Sequence, residues 1–241
     1  MMPTAPSISI LVACRNEEEN IETCLASVIA AIPDAEVLVI DGGTDRTAEL
    51  ARAMAETHPL IRVLPNPDDR GKGHAIQFGI REARADVMAQ FDADLQFEAA
   101  DLPALVAPLL EGTADLCIGS RALPGAQREE SNVEKSRDWG NALLSAWVSL
   151  LVGRRVSDVT TGMKAWTRTA IETIGFKDTA YSYEAELIVR AFRRKLRLIE
   201  MPVRYRSRER GESMHRSTLA LARAGATIAL KSLAARFDRM R

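Results

Sequence analysis

The sequence DVMAQFDADLQ, residues 86–96, joins an apolar run directly to two acidic residues. A short apolar run bounded by polar residues predicts a buried β-strand, here ending near Phe91. Because side chains two residues apart in a strand point the same way, Asp92 and Asp94 can converge on one hard cation, with Gln96 as a third oxygen ligand. A divalent cation held in this way keeps open positions that suit a diphosphate. The alternative interpretation is a simple turn, in which aspartate is common.

Four more apolar runs alternate with stretches of helical periodicity. The predicted strands cover 7–13, 36–40, 61–64 and 116–119, in addition to 87–91. Strands that alternate with helices predict βαβ units, and therefore an α/β fold with a mostly parallel sheet flanked by helices. Ligands of such sheets bind at the carboxyl ends of the strands. Four distinctive segments fall at these ends: Arg15-Asn16-Glu17, Asp41-Gly42-Gly43, Asp92-Ala93-Asp94 and Ser120-Arg121.

The pattern changes after the fifth predicted strand. Residues 122–138 are polar and lack a clear period, which predicts a loop, whereas 139–152 predict an apolar helix. Residues 196–205 predict a late strand with a bulge near Pro202. The C-terminal residues 216–241 predict an amphipathic helix, whose apolar stripe contains Leu219, Ala222, Ala226, Leu230, Leu233 and Phe237.

The composition excludes several classes of protein. The 241 residues are 46% apolar and 27% charged, as in an ordinary soluble globule. The three cysteines have no C-x-x-C spacing, which favours a reducing compartment over a disulfide framework or a zinc site. No apolar run approaches the roughly 20 residues that span a bilayer, and the first residues do not have the pattern of a signal peptide.

The charge is distributed unevenly, although the formal net charge is only −1. Residues 190–241 are strongly basic and residues 1–189 are acidic, which favours an anionic partner for the C-terminal part. Solvated helix faces are the alternative. The C-terminal helix carries basic residues beside its apolar stripe, so it can lie on an anionic membrane surface, but packing in the core or in a homodimer is preferred.

Several short motifs follow one another in an order found in a known family. They are Ala13-Cys14-Arg15-Asn16-Glu17, Asp41-Gly42-Gly43-Thr44-Asp45-Arg46-Thr47, Gly71-Lys72-Gly73, Asp92-Ala93-Asp94-Leu95-Gln96, Gly119-Ser120-Arg121, Asp158-Val159-Thr160-Thr161-Gly162-Met163-Lys164 and Arg210-Gly211-Glu212-Ser213. With them the chain resembles the family 2 glycosyltransferases, and within these the dolichyl-phosphate mannosyltransferase-like branch. The resemblance covers about residues 7–215 and implies the GT-A fold, which has a Rossmann-like sheet.

The resemblance also implies how the chain is organised. It predicts one glycosyltransferase domain over residues 1–241. The nucleotide-binding half covers 7–121, the acceptor half 122–215, and the C-terminal helix completes the domain. We expect a cytoplasmic protein, peripheral at most on the inner face of the cell membrane, with no nucleic-acid partner.

The donor site implied by the resemblance contains Ala13, Arg15, Glu17, Asp41, Lys72, Asp92 and Ala93. In the family, the position of Glu17 binds ribose hydroxyls and that of Asp41 binds a base N–H. The alternatives are a charge at a helix N-terminus for Glu17 and a turn or cap for Asp41. Lys72, between two glycines, offers a charge to phosphate. Asp92, Asp94 and Gln96 would hold Mg²⁺ or Mn²⁺ against the diphosphate of a nucleotide sugar.

The acceptor site implied by the resemblance contains Arg121, Arg210 and Ser213, around the phosphate of a polyprenyl acceptor. Such a phosphate is already ionised, so transfer from a donor of the GDP-mannose or UDP-glucose type needs no strong base. One alternative is a small hydroxyl or sugar acceptor, with Asp158 or Glu184 as the base. Another is a homologue that binds nucleotide sugars without catalysis.

The chain departs from the usual family pattern at the base pocket and in the late loop. Ala13 and Arg15 stand where the family usually has Pro and Tyr, and Met214 stands where the branch usually has Lys. The departure at Arg15 leaves the identity of the nucleotide open, and the departure at Met214 bears on the polyprenyl phosphate acceptor.

Overall fold

The structure, a computed structural model, describes residues 7–129, 132–206 and 218–238. The strands are β1 (Ile8–Cys14), β2 (Glu36–Asp41), β3 (Ile61–Pro65), β4 (Val87–Gln90), β5 (Leu116–Ser120), β6 (Gln127–Arg128), β7 (Lys164–Thr167), β8 (Leu198–Pro202) and β9 (Arg204–Tyr205). The helices are α1 (Ile21–Ala31), α2 (Thr47–Thr57), α3 (Lys72–Glu82), α4 (Leu102–Leu110), α5 (Asn132–Val152), α6 (Arg168–Ile174), α7 (Tyr183–Arg193) and α8 (Thr218–Phe237).

Seven strands form one sheet in the order β3-β2-β1-β4-β7-β5-β8. Six of them run in the same direction, and β7 alone is antiparallel to both of its neighbours, β4 and β5. The predicted α/β fold with a mostly parallel sheet is therefore confirmed. Each of the five predicted strands is present, with ends that differ from the prediction by at most one residue. The division into halves stays a prediction, since β7 and β8 join the same sheet as the earlier strands.

The central strands are buried on both faces, as their continuous apolar sequences require. Ile10 and Val12 of β1 face one hydrophobic cluster, which contains residues of α1, α2 and α4. Leu11, between them, faces a second cluster, which contains residues of α3, α5, α6 and α7. Full burial of each such side chain contributes about 1.5–3 kcal/mol. Both layers of helices thus hold the carboxyl ends of the strands in fixed positions.

Two predicted boundaries are wrong, each for a local reason. Part of the predicted loop over 122–138 is helical, since α5 begins at Asn132. The first residues of α5 are polar and have no apolar period, so the sequence pattern did not indicate a helix there. The single late strand over 196–205 is divided at Val203, so that β8 stays in the main sheet while β9 pairs with β6. The break follows Pro202, which has no N–H to donate to a continuing ladder. Among the described helices, none combines the length and apolar character needed to cross a bilayer.

Candidate active site

The four distinctive segments meet at one edge of the sheet. Asp41 is the last residue of β2, Asp92 lies two residues beyond β4, and Arg121 follows β5 directly. Arg15 follows β1, which lies between β2 and β4. Because β7 is antiparallel, its first residue, Lys164, is also at this edge. The sequence argument that placed a ligand site at the strand ends therefore leads to one contiguous group of polar side chains.

The ends of β2 and β3 provide a buried carboxylate and two loops that pack closely against each other. Asp41 is only 9% exposed, and its Oδ1 accepts a hydrogen bond of 2.9 Å from the N–H of Gly43. Burial raises the pKa of the Asp41 carboxyl, although the hydrogen bond from Gly43 opposes that change. A Cβ on Gly42 would lie 2.6 Å from Cβ of Asp69, so glycine is needed where the loop after β3 meets the end of β2. This loop leads directly into Lys72.

The other residues predicted for the nucleotide lie around this carboxylate. Glu17 Oε2 accepts a 2.8 Å hydrogen bond from Asn20 Nδ2 in the turn before α1, so Glu17 is not in the first turn of that helix. The side chain of Arg15 is 64% exposed, and its Nη1 is 3.7 Å from Oδ2 of Asp69. Ala13 is half-buried on β1. The roles assigned to these residues in binding stay predictions.

Four charged side chains of alternating sign run from the protein interior to the site; we call Lys164, Glu184, Lys72 and Asp92 the charge chain. Lys164 Nζ is 3.7 Å from Glu184 Oε1, which is 3.2 Å from Lys72 Nζ. Lys72 Nζ is in turn 2.8 Å from Oδ1 and 2.9 Å from Oδ2 of Asp92. Exposure of the side chains rises along it, from 0% at Lys164 through 5% and 11% to 23% at Asp92. Only the last member therefore reaches the surface appreciably.

Burial and the neighbouring carboxylates set the pKa values of the two lysines. It lowers the pKa of Lys164 to about 8, since desolvation of the ammonium outweighs the attraction of Glu184. Burial also opposes the charge on Lys72, but Asp92 and Glu184 outweigh it and hold the pKa of Lys72 well above its usual value. Lys164 also donates to the carbonyl of Thr161. Lys72 is thus a fixed cation at the amino end of α3.

Gly162 fixes the other side of Asp92. A Cβ at this position would lie 1.9 Å from Asp92 Oδ2, a distance that no side chain permits. The carbonyl of Gly162 accepts a 3.1 Å hydrogen bond from Gln90 Nε2, and Gln90 Oε1 accepts one of 2.5 Å from the hydroxyl of Tyr183. The segment before β7 is thereby held against the end of β4.

The geometric premise for the predicted metal ligands is wrong in one respect. The strand β4 ends at Gln90, and Asp92, Ala93 and Asp94 lie in a turn that is followed by Leu95 with a φ of +59°. Strand alternation therefore does not align the carboxylates. Ala93 is buried, and so is Gln96, whose Nε2 donates to the carbonyl of Arg206 over 3.4 Å. The assignment of Gln96 as a ligand stays a prediction.

The carboxylate oxygens of Asp92 and Asp94 fit a divalent cation that takes its other ligands from a substrate and from water. Asp92 and Asp94 are both partly exposed at the edge of the sheet. Within residues 7–129, 132–206 and 218–238, no group of three or more His, Cys, Asp or Glu could hold a metal ion. Hard cations such as Mg²⁺ commonly use one or two carboxylates and complete their shell with phosphate and water. These two carboxylates are therefore the residues that would hold it.

Arg121 is fixed by a buried carboxylate at the other end of the site. Its Nε and Nη2 donate to the two oxygens of Asp158 over 2.7 and 2.8 Å, and its backbone N–H donates to the same carboxylate over 3.0 Å. Asn141 of α5 donates to Asp158 Oδ1 over 2.8 Å. The guanidinium also lies over the ring of Tyr205, 5.0 Å from its centroid. This geometry fixes the direction of the arginine.

The same contacts bear on which carboxylate could act as a general base. Burial alone would raise the pKa of Asp158, but Arg121 and the hydrogen bonds outweigh it and hold that pKa below its usual value. Glu184 is within 4 Å of two lysines. Both carboxylates named as candidate bases are therefore engaged by cations. Two residues predicted at the acceptor, Arg210 and Ser213, lie outside the described residues.

Sequence reasoning missed two features of the site. It assigned no role to Gly162. A glycine within the Asp158–Lys164 motif can indicate that another part of the chain packs closely against the backbone there. It named Lys72, Lys164 and Glu184 separately but not their contact, since Lys72 and Glu184 are 112 positions apart in the chain.

The sheet with one antiparallel strand, and the acidic turn after β4, define the GT-A class of fold. A sequence model of the family described as Glycosyl transferase family 2 matches residues 9–175. The chain belongs to this family.

Curated relatives include two transferases of different length. The chain is 34% identical over 209 residues to the low-salt glycan biosynthesis hexosyltransferase Agl6 of Haloferax volcanii, covering 85% of this chain and 49% of that protein. It therefore spans about half the length of that relative. It is 31% identical over 206 residues to the undecaprenyl-phosphate mannosyltransferase of Micrococcus luteus, covering 82% of this chain and 83% of that one.

Solved structures show the same fold. Glucosyl-3-phosphoglycerate synthase from Mycobacterium tuberculosis, crystallised with Mn²⁺, UDP-glucose and glycerol 3-phosphate, superposes with a TM-score of 0.70. The sequences are 22% identical, and the match covers 96% of this chain and 80% of that one. At this identity the likeness concerns the fold.

We expect Glu184→Gln to lower the free energy of unfolding by about 3 kcal/mol, because it leaves two buried lysines without their shared carboxylate. Glu49→Gln is the matched control. Glu49 pairs with Arg46 on the surface, with side chains 64% and 65% exposed, and such an exposed pair contributes little to stability. Urea denaturation measures both variants. Equal losses would mean that the charge chain contributes no more than a surface pair.

Proposed function

We propose that the chain is a metal-dependent, inverting hexosyltransferase that moves a hexosyl group from a nucleotide sugar to a polyprenyl phosphate. Family membership supports a glycosyl transfer. The observation that carries the choice of acceptor is the engagement of Asp158 and Glu184 by fixed cations. A site whose two described candidate bases are both held by cations suits a nucleophile that is already ionised, as a phosphate is. The name of the Micrococcus luteus relative points in the same direction.

On the donor side, we assign the base to Asp41 and the ribose to Glu17. The buried carboxylate of Asp41 can accept a hydrogen bond from a ring N–H of the base. Lys72 and the carboxylates of Asp92 and Asp94 bind around the diphosphate. A divalent cation, Mg²⁺ or Mn²⁺, would neutralise charge on the departing nucleoside diphosphate. Gln96 is proposed as a further oxygen ligand of that cation.

On the acceptor side, Arg121 can bind and orient an anionic oxygen of the acceptor. Its guanidinium is held by Asp158, so little side-chain entropy is lost when an anion binds. Arg210 and Ser213 of the late loop are proposed as its companions. The phosphate oxygen forms a bond to the anomeric carbon as the bond from that carbon to the diphosphate breaks, which inverts the configuration. Since a polyprenyl chain is anchored in a membrane, we place the reaction at its cytoplasmic surface.

We expect Asp94→Ala to abolish metal-dependent transfer, with a loss of at least about 100-fold in rate, because a ligand of the cation is removed. Asp86→Ala is the matched control, since Asp86 is 96% exposed and precedes β4 at its opposite end. Transfer by the wild-type chain should also stop with EDTA and return with Mn²⁺. Full activity of Asp94→Ala would remove the basis for the proposed metal site.

We expect Gly162→Ala to weaken donor binding on the order of tenfold, since its Cβ would displace the carboxylate of Asp92. Calorimetry with UDP-glucose or GDP-mannose in the presence of Mn²⁺ measures the affinity. Gly140→Ala is the control, because a Cβ at Gly140 meets nothing within 4 Å. Donor affinity that is the same in both variants would show that Asp92 does not contribute to the donor site.

The acceptor class is tested by supplying a radiolabelled donor with a polyprenyl phosphate or with 3-phosphoglycerate. We expect label in the chloroform-soluble product only, because the two candidate bases in the described part of the chain, Asp158 and Glu184, are both held by cations. Label in a water-soluble glycoside would favour the small hydroxyl acceptor instead. Donor binding without transfer to either acceptor would indicate a non-catalytic homologue.

A further inference from the structure

Exposed apolar side chains are concentrated on two helices. Nine large hydrophobic side chains are exposed in the described part of the chain, and five of them belong to α5 and α8. They are Trp139 at 80%, Leu143 at 73%, Leu150 at 75%, Leu230 at 68% and Phe237 at 76%. Single exposed hydrophobic residues are ordinary, but a group of them marks an interaction surface. The expected packing of the C-terminal stripe inside the domain is therefore not seen for Leu230 and Phe237.

The exposed residues form one stripe on each helix. Trp139, Leu143 and Leu150 are spaced by four and seven positions, so they share a face of α5, opposite the buried Val148. Leu230 and Phe237 are seven positions apart on α8. The helices lie against each other, since Trp147 Nε1 donates to the carbonyl of Ala229 over 3.3 Å and Arg236 Nε donates to that of Leu151 over 3.0 Å. One helix pair thus carries both stripes, which we call the apolar face.

Most of the charges around the apolar face are positive. Residues 139–155 and 218–237 contain no acidic residue, although Asp138 and Asp238 flank them. The basic residues of these stretches are Arg154, Arg155, Arg223, Lys231 and Arg236, of which Lys231 pairs with Asp178 over 2.7 Å. Arg155 and Arg223 are exposed. A second copy of the chain would bring the same positive charges together, whereas an anionic lipid surface would compensate them. Charge complementarity therefore favours lipid over a homodimer.

We propose that the apolar face docks the chain onto an anionic lipid bilayer, with α5 and α8 lying in the plane of the interface. Trp139 and the leucines enter the headgroup region, and the arginines contact lipid phosphates. On its inner side α5 carries Asn141, whose Nδ2 is 2.8 Å from Asp158 beneath Arg121. Docking would therefore bring the acceptor end of the site to the bilayer. This last step builds on the proposed function, but the docking itself does not.

The test is sedimentation of the full chain with vesicles of phosphatidylglycerol and phosphatidylcholine that contain no polyprenyl phosphate and no donor. We expect binding to these vesicles that weakens with salt, and none to pure phosphatidylcholine. The variant Leu143→Glu/Leu150→Glu should lower the partition at least about tenfold, since it places two carboxylates on the apolar face. Its melting temperature should stay near that of the wild type, because both leucines are exposed.

The matched control is Leu60→Glu/Leu110→Glu, which makes the same charge change at side chains that are 38% and 52% exposed. Leu110 lies on α4, on the other side of the sheet. The control variant should bind vesicles within about twofold of the wild type. Equal losses in both variants would overturn the proposal, since net charge alone would explain them. A wild-type dimer that ignores vesicles and becomes monomeric in Leu143→Glu/Leu150→Glu would overturn it in favour of a second copy.

Failure of the docking proposal can be told from failure of the proposed function. Transfer is measured separately to a short-chain, water-soluble prenyl phosphate, which needs no bilayer. Vesicle binding without such transfer rejects the acceptor assignment and supports the apolar face. Transfer to the soluble acceptor without vesicle binding rejects the apolar face alone.

Discussion

The ammonium of Lys164 is the constraint from which the charge chain follows. It has no exposed surface, and burial lowers its pKa to about 8, so its charged form needs a partner. Glu184 supplies that partner and also pairs with Lys72, over a shorter distance. Lys72 then reaches Asp92. Four elements, β7, α7, α3 and the turn after β4, are thereby held at separations set by ion pairs rather than by apolar packing alone.

The two ends of the site have the same arrangement of charges, in which a buried carboxylate holds a cation. At one end a cation, Lys72, is held by Glu184, and at the other Arg121 is held by Asp158. In each case the carboxylate is more buried than the cation it holds, at 5% against 11% and 0% against 15%. The cations are therefore oriented before a ligand arrives. Such fixed charges stabilise anions without reorganisation during the reaction, which suits two phosphate-bearing substrates.

The strands could be predicted because each is an apolar run whose ends are marked by polar residues. The place of the site followed, since parallel strands end at one edge. Side-chain geometry could not be predicted in the same way. Leu95 adopts a positive φ. The apolar pattern of the sequence does not show that the strand ends and the chain turns before Asp94. The contact of Lys72 with Glu184 depends on how α3 and α7 pack. The sequence around Lys164 does not predict that β7 is antiparallel to its neighbours.

The helix α5 shows why an apolar pattern does not tell which side is buried. Val148 is buried while Leu143 and Leu150, on the opposite side, are exposed, so apolar residues surround the helix. A helix that is apolar all round requires contacts on both sides. The helices α7 and α8 contact α5, and α8 adds an apolar stripe of its own beside that of α5. Since the exposed Arg155 and Arg223 lie beside these stripes, a partner that is both apolar and anionic suits them, and a lipid surface has both properties.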